Sequence, residues 1–331
     1  MTSVREREEI MPTDLGGYLT ALRNAFSSAS DKYVAHQRAR PILQDLAASP
    51  AALTSILERH LATDDALDRR HYPVVSLEIE TNKHFGLVAN CWIPLPDGDT
   101  DMSTKAIHHH GSMLLTTVTA FGPGYVHWMF STPKPVDEER ELYAMRLVER
   151  TPHPTGHASF VDANVGHVPF FPPSLTITLA LWSSREPASW KDSLKRVPAL
   201  HKHSTALRGL AASLGLARTL DLKIARYFDF SPEPQGFRGM KDREEFSRGP
   251  NEDYLRSLFH VIQETGNEKL APVVRRKLTE GAPNRDLVLA LLADLEGGRP
   301  IAGRLSPGHY GIPFANFRAA AIERALEACG S

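Results

Sequence analysis

Apolar side chains in the first part of the chain recur three and four residues apart, the spacing of an amphipathic helix. Leu15, Leu19 and Leu22 share one such face, and Leu53 and Leu57 share another. Residues 1–70 are therefore predicted to form a helical segment that precedes the rest of the fold.

The apolar spacing changes to two after residue 73. Val75, Leu77 and Ile79 alternate with polar neighbours, as on a half-buried strand. Clusters of Gly and Pro then separate further strand-like segments. The predicted strands cover residues 74–80, 85–93, 104–110, 114–120, 126–131, 142–149, 158–162 and 175–182. Eight short strands between turns predict a small closed barrel or jelly roll within residues 71–185.

Helical spacing returns in the last part of the chain. The predicted helices cover residues 199–218, 252–265, 269–280, 287–295 and 314–327. Residues 230–249 are rich in charge, Pro and Gly, which predicts an exposed linker or a lid. Residues 186–331 are thus predicted to be a helical region packed on or near the barrel. The predicted fold class is mainly β with flanking helices.

Composition narrows the class of protein and of partner. Of the 331 residues 42% are hydrophobic and 23% charged, as in ordinary globular proteins. A formal charge of -1 gives no general attraction to nucleic acid or anionic lipid, so a small molecule is the expected partner. No apolar run is long enough for a membrane span, and the charged residues 1–10 do not resemble a secretory signal. We therefore expect a cytoplasmic protein, with its oligomeric state left open.

Three consecutive histidines mark the candidate chemistry. On a strand, His108 and His110 point to one face and His109 to the other. His167 follows Gly166 in a predicted tight turn and is the best candidate for a third ligand. Neutral imidazole binds iron, copper, nickel and zinc well, so the pattern indicates a transition-metal site. With 15 histidines in the chain, a solvated cluster is the alternative.

Two further residues are candidates for catalysis. His157 opens the strand that leads toward His167 and could serve as a replacement ligand or a base, or else be an ordinary loop histidine. Tyr125 and His127 share one face of a strand with Met129, where they could line a substrate pocket or simply pack the barrel.

Other polar residues are given more ordinary roles. Lys83 and Lys105 flank the entries to strands and could neutralise a carboxylate, although exposed lysines are the default. His201 and His203 fall in a predicted helix, where they diverge by roughly 200 degrees and cannot share a metal. The chain has only two cysteines, too few for a disulfide framework, and Cys91 is predicted to be an inert buried thiol.

The strands and histidines together resemble the cupin superfamily. The likeness lies in residues 85–92 and 106–110, an apolar strand, a loop and a His-x-His, and in residues 160–167 and 174–183, a late histidine turn and closing strand. Within that superfamily the pattern is similar to the three-histidine iron dioxygenases related to cysteine dioxygenase. This resemblance implies Fe(II) held by His108, His110 and His167, with open positions for dioxygen and a substrate.

The sequence departs from that family around the implied metal. Most cupins add a glutamate ligand where this chain has Leu114 and Leu115. The substrate-clamping arginine of the thiol dioxygenases is missing near Ser76, and the closing strand around Trp182 has no tyrosine. Cys91 has no evident crosslinking partner. The metal cradle resembles the family while the substrate shell differs, so a different substrate is expected.

Three functions are consistent with these patterns. The first is an Fe(II)-dependent oxygenase that acts with O2 on a small polar metabolite, such as a thiol or an amino-acid derivative. The second uses zinc, nickel or manganese at the same residues for isomerisation or hydrolysis. The third is a non-enzymatic barrel that keeps the histidines for metal sensing or structural support.

Overall fold

Two antiparallel sheets lie between layers of helix in the computed structural model of the chain. The structure describes residues 14–69, 74–184, 227–230, 237–240, 250–304 and 318–328. The predicted helix 199–218, with His201 and His203, lies outside these residues, as does Cys329.

Three helices open the described chain, as the apolar spacing predicts. They are α1 (Leu15–Ser27), α2 (Lys32–Ala47) and α3 (Pro50–Ala62). Each begins at a polar residue whose side chain accepts a backbone N–H of the first turn, and these caps are Asp14, Asp31 and Ser49. A cap of this kind stabilises a helix by about 1 kcal/mol. The sequence thus fixes where each helix begins.

Thirteen strands follow within the described residues. They are β1 (Val74–Thr81), β2 (Gly86–Trp92), β3 (Ile107–His108), β4 (Met113–Phe121), β5 (Tyr125–Phe130), β6 (Lys134–Asp137), β7 (Leu142–Ala144), β8 (Leu147–His153), β9 (Ala158–Val161), β10 (His167–Pro169), β11 (Thr176–Ser184), β12 (Tyr227–Phe230) and β13 (Phe237–Met240). One sheet has the order β1-β2-β11-β4-β9, and the other has the order β6-β7-β13-β12-β3-β10-β5-β8. The two sheets form a jelly roll with helices at both ends of the chain.

The five-stranded sheet is covered on both faces at its central strands β2 and β11, whereas Glu78 of the edge strand β1 is exposed. Leu77, Ala89 and Leu179 belong to the core that it shares with the helices. Their neighbours Asn90 and Thr178 point the other way and line a cavity between the sheets. Because both faces of these central strands are covered, most of their residues are apolar.

A buried histidine ties α2 to this sheet. The two ring nitrogens of His36 lie 2.7 Å from the hydroxyl oxygen of Thr116 on β4 and 2.9 Å from that of Ser183 on β11. Burial lowers the pKa of His36 to about 4, with a smaller contribution from Lys32. The imidazole is therefore neutral at physiological pH and holds the helix in register with both strands.

Four further helices complete the described chain. They are α4 (Asn251–Glu264), α5 (Ala271–Lys277), α6 (Arg285–Glu296) and α7 (Ala319–Ala328). The first three extend the core formed by the N-terminal helices, whereas α7 packs on the outer face of the eight-stranded sheet through Ile322 and Leu326. Of the helices described, none is long and apolar enough to cross a membrane.

Two predictions about the second sheet were wrong. Residues 104–110 were expected to form one strand, but β3 covers only Ile107–His108, because the chain turns at Gly111 with a φ of 63°. Part of the expected linker 230–249 is strand β13, which pairs with β7 and β12. The side chains of Phe228 and Phe237 are fully buried. Burying such a ring contributes roughly 1.5–3 kcal/mol, which outweighs the polar composition nearby.

Besides β12 and β13, two further short strands were not predicted. His167 was expected in a turn, but it begins β10, which lies between β3 and β5. Three residues are too few to show a period, so the sequence gives no strand signal there. Strand β6 is also missing from the prediction, since most of it is exposed and it lies at a sheet edge, where its Pro135 is tolerated.

Candidate metal centre

Sheet pairing brings the first and last histidines of the candidate site together. His167 of β10 lies directly opposite His108 of β3 in the antiparallel register. Directly opposed residues project from the same face, which here is the face toward the other sheet. His110 follows β3 in the connection to β4 and lies beside His108 and His167. One ring nitrogen of each of the three residues lies within 4.8 Å of those of the other two.

The geometry suits a common ion. The Nε2 atoms of His108 and His167 are 3.0 Å apart. Two nitrogens that bind one ion at about 2.1 Å, at right angles to each other, are separated by about 3.0 Å. The relative exposures of His108 and His167 are 1% and 3%, so water does not compete for these lone pairs.

The ring of His108 is held in one orientation. Its Nδ1 lies 3.0 Å from the carbonyl oxygen of Ala106, to which it donates a hydrogen bond. The Nε2 atom then carries the lone pair that faces His167. Tyr227 of β12 stacks on the same ring with centroids 5.8 Å apart. A backbone partner on the second nitrogen is what orients metal-binding histidines in proteins.

His109 points away from the cluster, as alternation predicts. Its Nδ1 accepts the N–H of Gly111 at 2.9 Å, and its ring lies 6.1 Å from that of Phe228 in the outer core. The prediction that His109 faces away from the cluster was right although the strand ends at His108.

Electrostatics keep the cluster neutral. Burial lowers the pKa of His108 well below its usual value, and the charge of Lys105 lowers it further. Burial, followed by repulsion from His108, does the same for His167. Metals bind the neutral imidazole, so these rings need lose no proton before they accept an ion.

The cluster adjoins a partly open cavity of about 270 Å³ between the sheets. His110 and His167 form part of its wall, and His108 lies behind them. The remaining described residues of the wall are mostly apolar or uncharged: Ser76, Val88, Asn90, Trp92, Lys105, Met113, Leu115, Thr117, Tyr125, His127, Val161, Pro169, Thr178, Ala180 and Trp182. Such a cavity can hold a small molecule against an ion bound by the histidines.

Tyr125 lies on this wall, where the sequence suggested a catalytic role. Its ring is 8% exposed and lies 5.5 Å from the ring of Trp92. Burial raises the pKa of the phenol to about 12, while a hydrogen bond with the side chain of Thr117 opposes that shift. The hydroxyl is therefore protonated at any physiological pH and can donate a hydrogen bond.

A row of histidines leads away from the cluster. Ring centroids are 5.2 Å apart from His167 to His127, 5.0 Å from His127 to His153, and 4.7 Å from His153 to His157. Nδ1 of His127 and Nε2 of His153 are buried with no hydrogen-bond partner among the described residues. His157 stands at the far end of the row and is not part of the described wall, so the structure separates it from the three-histidine cluster.

Sequence reasoning missed several residues of this region. His153 was taken as part of a turn because Pro152 and Pro154 flank it. It instead ends β8, directly opposite Tyr125. The pairing of β5 with β8 and the register of β2 and β11 decide which residues face the cavity. Alternation within each strand was the available signal, but it does not show which face of the strand points toward the cavity and which points away from it.

The donor set fits a first-row transition metal. It offers three neutral nitrogens and no carboxylate, which excludes ions that require oxygen ligands, such as magnesium and calcium. Among the described residues this is the one group of histidine, cysteine and acidic side chains with metal-binding spacing. Leu114 and Leu115, at the expected position of a fourth ligand, are apolar, and Leu115 faces the cavity.

Comparisons with known proteins give structural likeness without sequence support. No family model matches the chain, and a search of curated proteins finds no match. One similar solved structure is described as that of the DMSP lyases RdDddP and RnDddQII, with 12% identity and a TM-score of 0.22, over 33% of this chain and 46% of that one. The chain thus spans less than half of the length of that protein.

Two further solved structures are similar over comparable lengths. Ectoine synthase from P. lautus shares 14% identity with a TM-score of 0.26, over 39% of this chain and 75% of that one. An RmlC-like cupin from Shewanella frigidimarina NCIMB 400 shares 13% identity with a TM-score of 0.22, over 36% and 84%. At these scores the comparisons assign no activity to this chain.

Proposed function

We propose that the chain is an Fe(II)-dependent oxygenase, related in its metal cradle to the three-histidine thiol dioxygenases, that oxidises a small polar metabolite with O2. One observation carries the proposal: the Nε2 atoms of His108 and His167 lie 3.0 Å apart, and His167 lines the cavity between the sheets. His110 is the third ligand. A bound Fe(II) supplies redox chemistry toward dioxygen and attracts an electron-rich donor atom of the substrate.

The residues around the metal have distinct tasks. The Ala106 carbonyl fixes the ring of His108, so the ligand is oriented before the ion arrives. The apolar side chains of Val88, Leu115 and Trp182 line the cavity and reduce the contact of a bound molecule with water. The Tyr125 hydroxyl donates a hydrogen bond into the cavity.

A second function differs in the metal and the reaction. Three neutral imidazoles are also a donor set that zinc uses in catalytic sites. With zinc, nickel or manganese the centre would act as a Lewis acid for isomerisation or hydrolysis. Both functions use the same ligands and differ in their dependence on oxygen.

Metal content and oxygen uptake separate these functions. Protein purified without a histidine tag is loaded with Fe(II) under anaerobic conditions, and its iron is counted. We expect about one iron per chain and oxygen uptake on at least one member of a panel of small thiols and amino acids. Less than about 0.2 iron per chain contradicts the proposal, since the ligands must bind their metal. Bound iron without oxygen uptake on any member of the panel favours the non-enzymatic function, in which the histidines hold a metal for sensing or structural support.

A further inference from the structure

Lys105 is the one formally charged residue among the described residues of the cavity wall. The remainder of that wall is apolar, or polar and neutral, and contains no carboxylate. A cation that faces an apolar cavity without a counter-charge is unfavourable unless a ligand supplies the charge.

The backbone holds Lys105 at this position. The N–H of the preceding Thr104 donates to the carbonyl of Pro169 at 2.9 Å, and Pro169 is itself part of the wall. Two residues later the chain enters β3, where His108 begins the metal cluster. Lys105 is thus fixed on the same side of the cavity as the histidines.

The ammonium of Lys105 has no hydrogen bond or ion pair with any described residue, in contrast to Lys32 and Lys277, whose ammonium groups donate to backbone carbonyls. Its charge reaches the cluster, because it lowers the pKa values of His108, His127 and His167. Burial lowers the pKa of Lys105 itself to about 8. A majority of the molecules therefore carry this charge at pH 7.

We propose that Lys105 binds the carboxylate of the substrate, and that the substrate is a small organic acid whose apolar part contacts the tryptophans of the cavity. Trp92 and Trp182 both belong to the wall and offer flat apolar surfaces. The cavity volume of about 270 Å³ lies just below the usual range for ligand pockets, roughly 300–1,000 Å³, which suits a compact molecule.

A carboxylate-binding lysine would define the substrate class of the proposed oxygenase. The oxidation of that substrate rests on the proposed function, whereas its binding to Lys105 does not. Lys105 takes the task of the arginine that is missing near Ser76. Because the lysine lies beside β3 instead of on β1, the carboxylate enters the cavity from a different side than an arginine on β1 would place it.

Acid and amide pairs of equal shape test the inference. Benzoate is compared with benzamide, and 3-methylbutanoate with 3-methylbutanamide, by titration calorimetry and by tryptophan fluorescence. The variants are Lys105→Met, which removes the charge, and Lys105→Arg, which keeps it. Lys83→Met, at an exposed lysine, is the matched control. Circular dichroism confirms that each variant folds.

We expect the wild-type protein to bind at least one acid tenfold or more tightly than its amide, the scale of a charge-assisted hydrogen bond. Lys105→Met should lose this preference, Lys105→Arg should keep the acid affinity within about fivefold, and Lys83→Met should change it less than twofold. Equal binding of acids and amides by the wild-type protein overturns the inference, whether or not the variants fold. A preference that survives in Lys105→Met also overturns it.

Each titration is made on metal-free and on Fe(II)-loaded protein. A preference for acids in the metal-free protein that depends on Lys105 supports the inference even if no iron binds. In that case the proposed oxygenase function is contradicted, but the proposed binding of a carboxylate is not. A preference that appears only with iron and is independent of Lys105 comes from the metal and overturns the inference.

Discussion

Tyr125 lines the same cavity as His110 and His167, and its hydroxyl is a candidate donor to a molecule bound there. Burial keeps the phenol protonated by raising its pKa to about 12, and Thr117 provides a neighbouring hydrogen-bond partner. Its ring packs against Trp92 and closes one side of the cavity. The ring of Tyr125 therefore contributes to packing and its hydroxyl to hydrogen bonding. Substitution by phenylalanine removes the hydroxyl and keeps the ring.

Tyr125→Phe should keep the fold and the metal but slow the reaction. Positioned proton donors typically contribute about 10²–10⁴-fold, and a donor that only supplies a hydrogen bond falls at the lower end. We expect kcat for oxygen uptake to fall about 10- to 100-fold with KM changed less than threefold. Tyr143→Phe, at a buried tyrosine of the outer core, is the control. An unchanged kcat in Tyr125→Phe would remove the hydroxyl from the chemistry.

At the scale of elements, long periodic segments were predictable and short ones were not. The period of two in β1 and the helical spacing of α1 and α4 are visible in the sequence because each element is long enough to repeat its pattern. Strands β3 and β10 have two and three residues, and they exist because neighbouring strands pair with them. These short strands are the ones that carry the histidine cluster.

The same distinction explains how much of the candidate site was found. His108, His110 and His167 could be proposed from residue type and local alternation. His127 and His157 of the adjoining row were also candidates from the sequence. His153 and the tryptophans of the wall could not be proposed, since their positions depend on the register between β5 and β8 and on which face of β2 turns inward. Register is a property of strand pairs, and a single segment does not encode it.

At the scale of the whole molecule, buried neutral histidines join layers that are distant in sequence. His36 joins α2 to the five-stranded sheet, and His60 of α3 forms a hydrogen bond of 2.7 Å with Tyr254 of α4. Burial lowers the pKa of each to about 4. The unfolded chain therefore binds more protons than the folded one between about pH 4 and the ordinary histidine value near 6.5.

This linkage predicts loss of stability in mild acid. The contribution of each such histidine is present above its unfolded pKa and declines as the pH falls toward the folded value. For His36 the loss between pH 7 and pH 5 is about 2 kcal/mol. The free energy of unfolding of the metal-free protein, from urea titrations at the two pH values, should therefore fall less in His36→Gln than in the wild-type protein, by about that amount.

A control and a contrary result are available for this prediction. His157→Gln, at a half-buried histidine on a turn, should leave the difference between the two pH values close to that of the wild-type protein. The same loss of stability in His36→Gln as in the wild-type protein would show that the buried imidazole is not a source of acid sensitivity.

The central claim is that His108, His110 and His167 hold one metal ion, and metal titration of ligand variants tests it most directly. Fe(II) is titrated anaerobically into untagged wild-type protein, His167→Ala and His157→Ala, the last at the histidine that lies outside the described cavity wall. We predict one ion per chain for the wild-type protein and for His157→Ala, with affinities within twofold, and at least about a 100-fold loss in His167→Ala. Wild-type affinity and stoichiometry in His167→Ala would contradict the account.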